Sequence, residues 1–431
     1  METSPLGSRL ARGAFWSLTG TAISQGLTLL ASILVARILG KEDYGQLGII
    51  RSTVGMFGVF AGLGLGLTAT KHVAEFRQSD PHRAGRIMAL SAGVAAGTGL
   101  VAALVLLLFA PWLAEHTLAA PSLAGPLRVG ALMLLLSAMN GAQTGALAGF
   151  EAFKMIAQVN LAVGLLSFPM LLVGASYGGL TGTVWALVLN LAFAWALNHL
   201  ALRRKAAQAQ VPFRLTGCLR EWRVLGAFGL PAALSSLLVV PTTWSCGAML
   251  VNQPGGYGEM GAFMAAQQWF TAVLFVPSVV ASSILPILSQ QRGSGQDVDS
   301  IKLLSFSMAA NFLAVAPVVL VGCLLSPYLM TLFGTGFSSA WPTLTIVLIT
   351  AGLLAVQQPV GQLIAASGRM WLGLAMNLAW AAVFVGVAHL LIHWGSIGLA
   401  TAQMVAYLAH AVWTFAFAFQ QVKNGSRGTI A

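Results

Sequence analysis

The sequence is short of charge. Only 8% of its 431 residues are Asp, Glu, Lys or Arg, where a soluble domain carries roughly 25%. A water-facing surface needs far more, so a soluble globule is excluded. Cysteine is nearly absent as well. Cys218, Cys246 and Cys323 lie far apart, with no Cys-x-x-Cys or Cys/His spacing. That pattern offers neither a disulfide framework nor a zinc site, and no metal or cofactor is expected. Carboxylates are the third shortage. There are eleven, and each falls at or beyond the end of an apolar run. A proton or sodium site built on a carboxylate deep in a membrane is therefore unsupported.

What the chain has is apolar surface. Hydrophobic residues make up 57%, and lipid is the solvent that suits them. A helix needs about 20 apolar residues to cross the hydrocarbon core. Twelve runs meet that length. Six cover 13–36, 45–67, 87–110, 127–149, 155–175 and 179–200. Six more cover 224–250, 259–283, 302–325, 343–366, 372–393 and 397–420. The expected fold is an all-α integral membrane protein of about twelve transmembrane helices. The first run is longer than the roughly 7–15 residues of a signal-peptide core and reads as a retained membrane helix.

The net charge of +11 would suggest nucleic acid in a soluble protein. Here the cations sit between apolar runs, so topology accounts for them and no nucleic-acid partner is expected. With the N-terminus inside, the inner segments hold eighteen of the 22 Lys and Arg residues, and the outer side keeps Arg37, Lys41, Arg51 and Arg128. That is the bias membranes impose. Trp16, Trp222 and Trp371 fall at inner ends, and Trp112, Trp341 and Trp394 at outer ends. A multi-pass membrane protein with both termini on the cytoplasmic side is expected.

The halves repeat. Tyr44-Gly45-Gln46-Leu47-Gly48 matches Tyr257-Gly258-Glu259-Met260-Gly261 at an offset of 213. Asn160 matches Asn377, and Tyr177-Gly178-Gly179-Leu180 matches Trp394-Gly395-Ser396-Ile397, both at 217. Six helices per half gives a parallel repeat, with a pseudo-twofold axis along the membrane normal. Transporters place substrate paths between such halves. The expected domains are an N-terminal six-helix lobe (1–200), a basic cytoplasmic linker along the anionic inner leaflet (201–223) and a C-terminal six-helix lobe (224–431).

Short motifs add a family. Ala36-Arg37-Ile38-Leu39-Gly40 followed by Tyr44-Gly45 ends the first helix. Gly62-Leu63-Gly64 and then Thr70-Lys71-His72-Val73-Ala74-Glu75 end the second. With twelve helices in two bundles, the chain resembles the polysaccharide (O-antigen type) flippase branch of the multidrug/oligosaccharidyl-lipid/polysaccharide (MOP) exporter superfamily. The resemblance implies a MATE-like, V-shaped pair of pseudo-symmetric lobes around a central cavity. It implies a substrate of sugar on a polyprenyl diphosphate, moved from the inner to the outer leaflet of a bacterial plasma (inner) membrane. It also implies a cationic cavity lined by the first, second, seventh and eighth helices, and a seventh helix that bends in gating. Partners to expect are the lipid-linked oligosaccharide, membrane lipids and other polysaccharide-assembly proteins. The chain is expected to act as a monomer and not as an enzyme.

A diphosphate in a low-dielectric slab needs compensating charge, and arginine matches phosphate with a planar fork. Arg51, inside the second run, is the first candidate, because intramembrane charges usually face the protein interior; snorkelling to headgroups is the plain alternative. At an offset of 213 Arg51 aligns with Met264, one turn before Gln268 and beside Gln267. Arg51 and Gln268 would then line one cavity from opposite lobes. Arg128, Lys71 and Gln25 are further substrate-binding candidates, each with an ordinary surface or packing role as the alternative. Pro231 and Pro241, both in the seventh run, are candidate hinge residues. Glycines at four-residue spacing, Gly141/Gly145/Gly149 and Gly93/Gly97, suit close helix packing. His389 and His393 stand one turn apart, without a third ligand in view. Two rivals remain. One is a multidrug exporter of the same fold. The other is a membrane glycosyltransferase, polymerase or ligase, for which Glu42-Asp43 is the only paired acid outside.

Overall fold

The computed structural model describes residues 6–62, 64–213, 216–222, 230–293, 297–366 and 370–427. Among them, twelve long helical segments follow one another. These are α1 (6–39), α2 (41–62), α3 (Pro81–Trp112), α4 (Ala124–Gly149), α5 (153–178), α6 (180–208), α7 (Leu230–Val251), α8 (Gly256–Gly293), α9 (Asp297–Leu324), α10 (Trp341–Ala366), α11 (Met370–Leu391) and α12 (Gly395–Arg427). No strand occurs among the described residues. The chain is an all-α membrane protein. Among the described residues, seven continuous stretches are long and apolar enough to cross a membrane, and three of them, of 41, 56 and 50 residues, are long enough for two crossings each.

Glycine makes the sharp joints. α1 passes to α2 through Gly40 (φ +81°), and α5 to α6 through Gly179 (φ +53°). These positive φ values cost a Cβ-bearing residue far more than glycine, so one residue replaces a loop. The second run is shorter than expected. α2 stops at Gly62, and a separate short helix, Leu65–Phe76, begins after Gly64 (φ +65°). The second glycine of the Gly62-Leu63-Gly64 motif therefore starts a new element instead of lying within a span.

Large apolar side chains lie on the outside. Leu108, Phe306 and Leu313 are each more than 70% exposed. In water such a surface would aggregate; against acyl chains it costs nothing. Trp112, Trp222, Trp341, Trp371 and Trp394 are also largely exposed, as interfacial indoles should be.

The chain forms two compact units. The first holds residues 1–39 and 46–240, the second 40–45 and 241–431. In the first, α4 packs against α3, against the α5–α6 stretch and against the short helix Leu65–Phe76. A Cβ on Gly145 would run into the Gly66 backbone, and one on Gly149 would lie 2.8 Å from Thr70 O. Thr70 Oγ1 donates to Gly145 O at 2.9 Å. Gly145 and Gly149 thus do the close packing their spacing suggests, whereas a Cβ on Gly141 would meet nothing within 4 Å. Gly93 and Gly97 do not pack closely either: no atom lies within 4 Å of a Cβ at either. Gly97 instead helps hollow an apolar cavity of about 570 Å³ beside Phe57, Phe60 and Val101.

Within the segment expected as the linker, 201–223, α6 runs on to Gln208. Beyond it the chain lies on the start of α3. Val211 is buried, and the Pro212 carbonyl sits where a side chain on Gly85 would be. Glu221 accepts from Arg83 Nε and Arg86 Nη2, both at 3.1 Å.

In the second unit α10 packs against α8, α9 and α12, and α11 against α12. The Tyr44-Gly45 motif belongs here. Tyr44 lies against Phe333 and Phe337, with ring centroids 6.3 and 6.0 Å away. Gly45 and Gly261 face each other in reciprocal contacts: a Cβ on Gly45 would overlap Tyr257 O, and one on Gly261 would overlap Lys41 O.

Exchanging residue 41 with 257 and 45 with 261 is a shift of 216. The same shift relates Gly179 (φ 53°, ψ −137°) to Gly395 (φ 67°, ψ −138°). It also relates Gly182 to Gly398, each of which would meet a carbonyl of the preceding helix if it bore a side chain. One register, 216, therefore replaces 213 and 217. Matching by residue identity slipped because a Tyr-Gly dipeptide is conspicuous in sequence, whereas backbone contact selects the glycine one turn later. Arg51 then corresponds to Gln267, not Met264.

Candidate functional site

In the first unit, α2 buries Ile49, Ile50, Thr53 and Val54. Gly130 of α4 allows this, since a Cβ there would lie 3.2 Å from Val54 and 3.5 Å from Ile50. Arg51 is carried on the other side of α2 and is exposed. It makes no ion pair among the described residues. Arg128 is exposed two residues before Gly130, so the Ile50–Gly130 contact holds the two arginines at one level of neighbouring helices. Gln25 is exposed on α1, one residue from Ser24, which packs beside Gly164 of α5. Lys71 is exposed on the short helix Leu65–Phe76, away from the level of the arginines.

Amides hold the helices behind this surface together. Asn140 Nδ2 of α4 donates to Leu191 O of α6 at 3.0 Å, and Asn198 Nδ2 donates to Asn140 Oδ1 at 3.0 Å. The second unit repeats the device. Gln357 Nε2 of α10 donates to Tyr407 O of α12 at 3.4 Å, and His410 Nδ1 lies 3.0 Å from Gln357 Oε1. Gln267 Nε2 of α8 donates to Gln403 Oε1 of α12 at 2.8 Å. Gln268 is half-buried beside it. So Gln267 is committed at least in part to helix packing, and Gln268 is the freer amide.

Of the hinge candidates, Pro241 lies inside α7, where it lacks the amide that would bond one turn back. The second compact unit resumes at this residue. Pro231 is on the same helix, but its side chain lies outside the described residues. His393 packs edge-on against Trp394. Among the described residues no group of three or more His, Cys, Asp or Glu could hold a metal ion.

Among the described residues, Glu151, Glu221 and Glu259 sit at helix ends or joints and are engaged. Arg77 pairs with Glu151, and Glu221 joins Arg83 and Arg86. Glu259 has three donors in the second unit: Lys41 Nζ at 3.1 Å, Ser396 N at 2.9 Å and Ser396 Oγ at 2.6 Å. Thr343 Oγ1 completes the chain at 2.9 Å from Ser396 Oγ. Sequence reasoning missed this clasp and the amide network. Its signals were an acid at the mouth of an apolar run and lone Gln or His residues inside runs 343–366 and 397–420.

The first unit thus offers exposed guanidinium and amide donors, and the second, taken by itself, offers amides. No carboxylate lies deep in a described helix. Such a surface suits an anion carried beside polar groups, and it lacks an obvious partner for a cation.

Comparison with known proteins places the chain in a family. Residues 10–291 match the polysaccharide biosynthesis protein family. The EPS I polysaccharide export inner membrane protein EpsE of Ralstonia nicotianae is 26% identical over 389 residues, covering 88% of each chain. The lipid III flippase of Escherichia coli is 24% identical over 421 residues, covering 93% of this chain and 96% of the other. An inward-facing multidrug resistance MATE family transporter of the MOP superfamily superposes with a TM-score of 0.73 at 16% identity, over 95% of this chain and 99% of its own. That last likeness carries the fold alone. The chain belongs to the polysaccharide biosynthesis protein family and has the fold of the MOP superfamily.

Proposed function

We propose that the protein is a flippase that moves a polyprenyl-diphosphate-linked oligosaccharide across the bacterial inner membrane by alternating access, for polysaccharide export of the O-antigen type. The observation that carries this reading is the family match over residues 10–291, joined to a first unit whose exposed mid-helix charge is arginine and not carboxylate. Arg51, with Arg128 at the same level, receives the diphosphate; Lys71 meets it on entry; Gln25, Gln267 and Gln268 contact sugar. The N-terminal and C-terminal lobes rock about α7, with Pro241 as the hinge, which the break between compact units at that residue supports. Both termini are cytoplasmic, the linker 201–223 is cytoplasmic, and the working unit is a monomer.

Cells provide the test. Removal of the gene should leave lipid-linked oligosaccharide accumulating on the inner leaflet and deplete the surface polysaccharide, and an intact copy should restore export. Normal surface polysaccharide, together with greater sensitivity to cationic dyes, would instead support the multidrug reading.

A further inference from the structure

α12 carries one polar face. Gln403, Tyr407, His410 and Thr414 follow at i, i+4, i+7 and i+11, which is a single stripe of a helix. His410 stands fifteen residues into α12, about 22 Å along its axis. That is well away from either end of a 33-residue helix. An ionisable group at such depth in a membrane helix marks a functional site by default. None of the substrate-site residues named above explains it.

The hydrogen bonds define its state. Gln357 Nε2 donates to Tyr407 O, so its Oε1 is left to accept, and the group facing Oε1 at 3.0 Å is His410 Nδ1. Thr414 Oγ1 donates to His410 O at 2.8 Å and stands 3.1 Å from Nδ1, again as an acceptor toward the ring. Nδ1 therefore carries the proton of the neutral imidazole, because one bond fixes the tautomer of the other nitrogen. Nε2 is left with its lone pair, and among the described residues it has no hydrogen-bond partner.

Among the described residues, the side chains that face the ring carry no charge to oppose or replace a proton there. α10 presents Gln357. α11 presents Trp380, whose ring lies 5.5 Å from that of Tyr407. α8 presents Gln267, through Gln403. α9 presents Leu304 and Leu303, packed with Phe417 further along α12. On α12 itself Tyr407 is the titratable neighbour, and its hydroxyl ionises only far above neutral pH. A second observation points to water in this region. Four buried side-chain polar atoms lack a partner among the described residues, and three of them belong to the second unit: Trp269 Nε1 on α8, Gln358 Oε1 on α10 and Trp380 Nε1 on α11. Buried polar groups of this kind are commonly met by internal water.

We propose that His410 Nε2 is the proton-binding site that couples this transporter to the proton gradient. The step is a simple addition. The lone pair of Nε2 takes one proton, both ring nitrogens become donors, and the imidazolium is held through Nδ1 by Gln357 Oε1 and Thr414 Oγ1. His410 is part-buried, and a cation withdrawn from solvation is costly, so the charged form favours whichever conformation wets Nε2 and the neutral form favours the drier one. That dependence lets proton uptake and release drive a conformational cycle in a chain without a deep carboxylate. The inference rests on the transport reading but can fail separately from it.

The test uses the full-length protein and His410→Gln, compared at matched size-exclusion profiles. A difference titration between pH 5 and 8 reads the site without any substrate. The variant should bind fewer protons than the wild type by up to one per chain, and superimposable titrations overturn the proposal. In proteoliposomes, a fluorescent polyprenyl-diphosphate oligosaccharide is then followed with and without an imposed pH gradient. For one proton per cycle, the wild type should reach a leaflet ratio that shifts by about tenfold per pH unit, and H410Q should lose that shift. A wild type that exchanges the lipid but ignores the gradient, or an H410Q that still follows it, overturns the role of His410 while leaving the flippase reading intact. A wild type that moves no lipid-linked glycan overturns the flippase reading, while the titration still decides whether His410 is a proton site.

Discussion

Gly45 and Gly261 make the sharpest mechanical prediction. A Cβ on Gly45 would lie 2.8 Å from Gly261 N and 2.9 Å from Tyr257 C, besides overlapping the Tyr257 carbonyl oxygen. These are backbone atoms of α8, so no side chain can swing away. Relief requires the segment 40–45 to back off α8 by roughly an ångström. That would also loosen Tyr44 from Phe333 and Phe337 and Lys41 from Glu259. Overpacking costs about 1–3 kcal/mol and occasionally more, and a backbone clash belongs at the top of that range. The helix-propensity gain of Gly→Ala, about 1 kcal/mol, opposes it. A net loss of about 2 kcal/mol is expected for G45A and again for G261A. At roughly 2–4 °C per kcal/mol for a unit of this size, Tm should fall by about 4–8 °C. Gly386 is the control: it lies on α11 with nothing within 4 Å of its Cβ position, so G386A should leave Tm unchanged or slightly raised. Thermal unfolding followed by fluorescence-detected size exclusion measures all three. If G45A and G386A melted together, the close crossing and the 216 repeat register drawn from it would be wrong.

Further outcomes follow from named contacts. Glu259→Ala removes the acceptor of three donors and should cost about 1–3 kcal/mol, whereas Lys41→Met removes a partly exposed ion pair and should cost under about 1 kcal/mol; the same melting assay ranks them. Arg51→Ala should slow glycolipid movement by about tenfold or more, with Arg51→Lys intermediate, since a bidentate contact becomes a point charge; equal rates at matched expression would remove Arg51 from the site. Glu221→Ala frees Arg83 and Arg86 and should make residues 209–222 cleavable by mild proteolysis before any helix is lost, which limited digestion and mass spectrometry would register. Pro241→Ala should leave expression intact and slow transport, and an unchanged rate would end the hinge reading.

Much of the fold was legible because lipid writes it into composition. Each of the twelve apolar runs meets a described helix, since a span must satisfy its own backbone hydrogen bonds and little else competes. The joints were harder to see. Gly40, Gly64 and Gly179 break helices through a positive φ, and no hydropathy profile distinguishes a glycine that turns from one that packs. Gly93 and Gly97 carry the same four-residue spacing as Gly145 and Gly149, yet a Cβ at either would meet nothing within 4 Å, because spacing says which side a residue lies on but not whether a neighbour is there. The polar site was half visible. Arg51 stands out as a charge inside an apolar run. Gln357 lies in one apolar stretch and Gln403 and His410 in another, and only folding reveals that α10 and α12 bring Gln357 and His410 within hydrogen-bond reach. Glu259 stands in the sequence only as an acid at the mouth of an apolar run, and its three donors, from residues 41 and 396, are visible only in the fold.

The central claim is movement of a lipid-linked glycan, and reconstitution tests it most directly. Purified protein in liposomes is given a fluorescent polyprenyl-diphosphate oligosaccharide and a membrane-impermeant quencher. Leaflet exchange faster than in empty liposomes, suppressed by excess unlabelled glycolipid but not by cationic drugs, is the predicted result. Exchange no faster than in empty liposomes for several lipid-linked glycans, alongside uptake of cationic dyes, would contradict it.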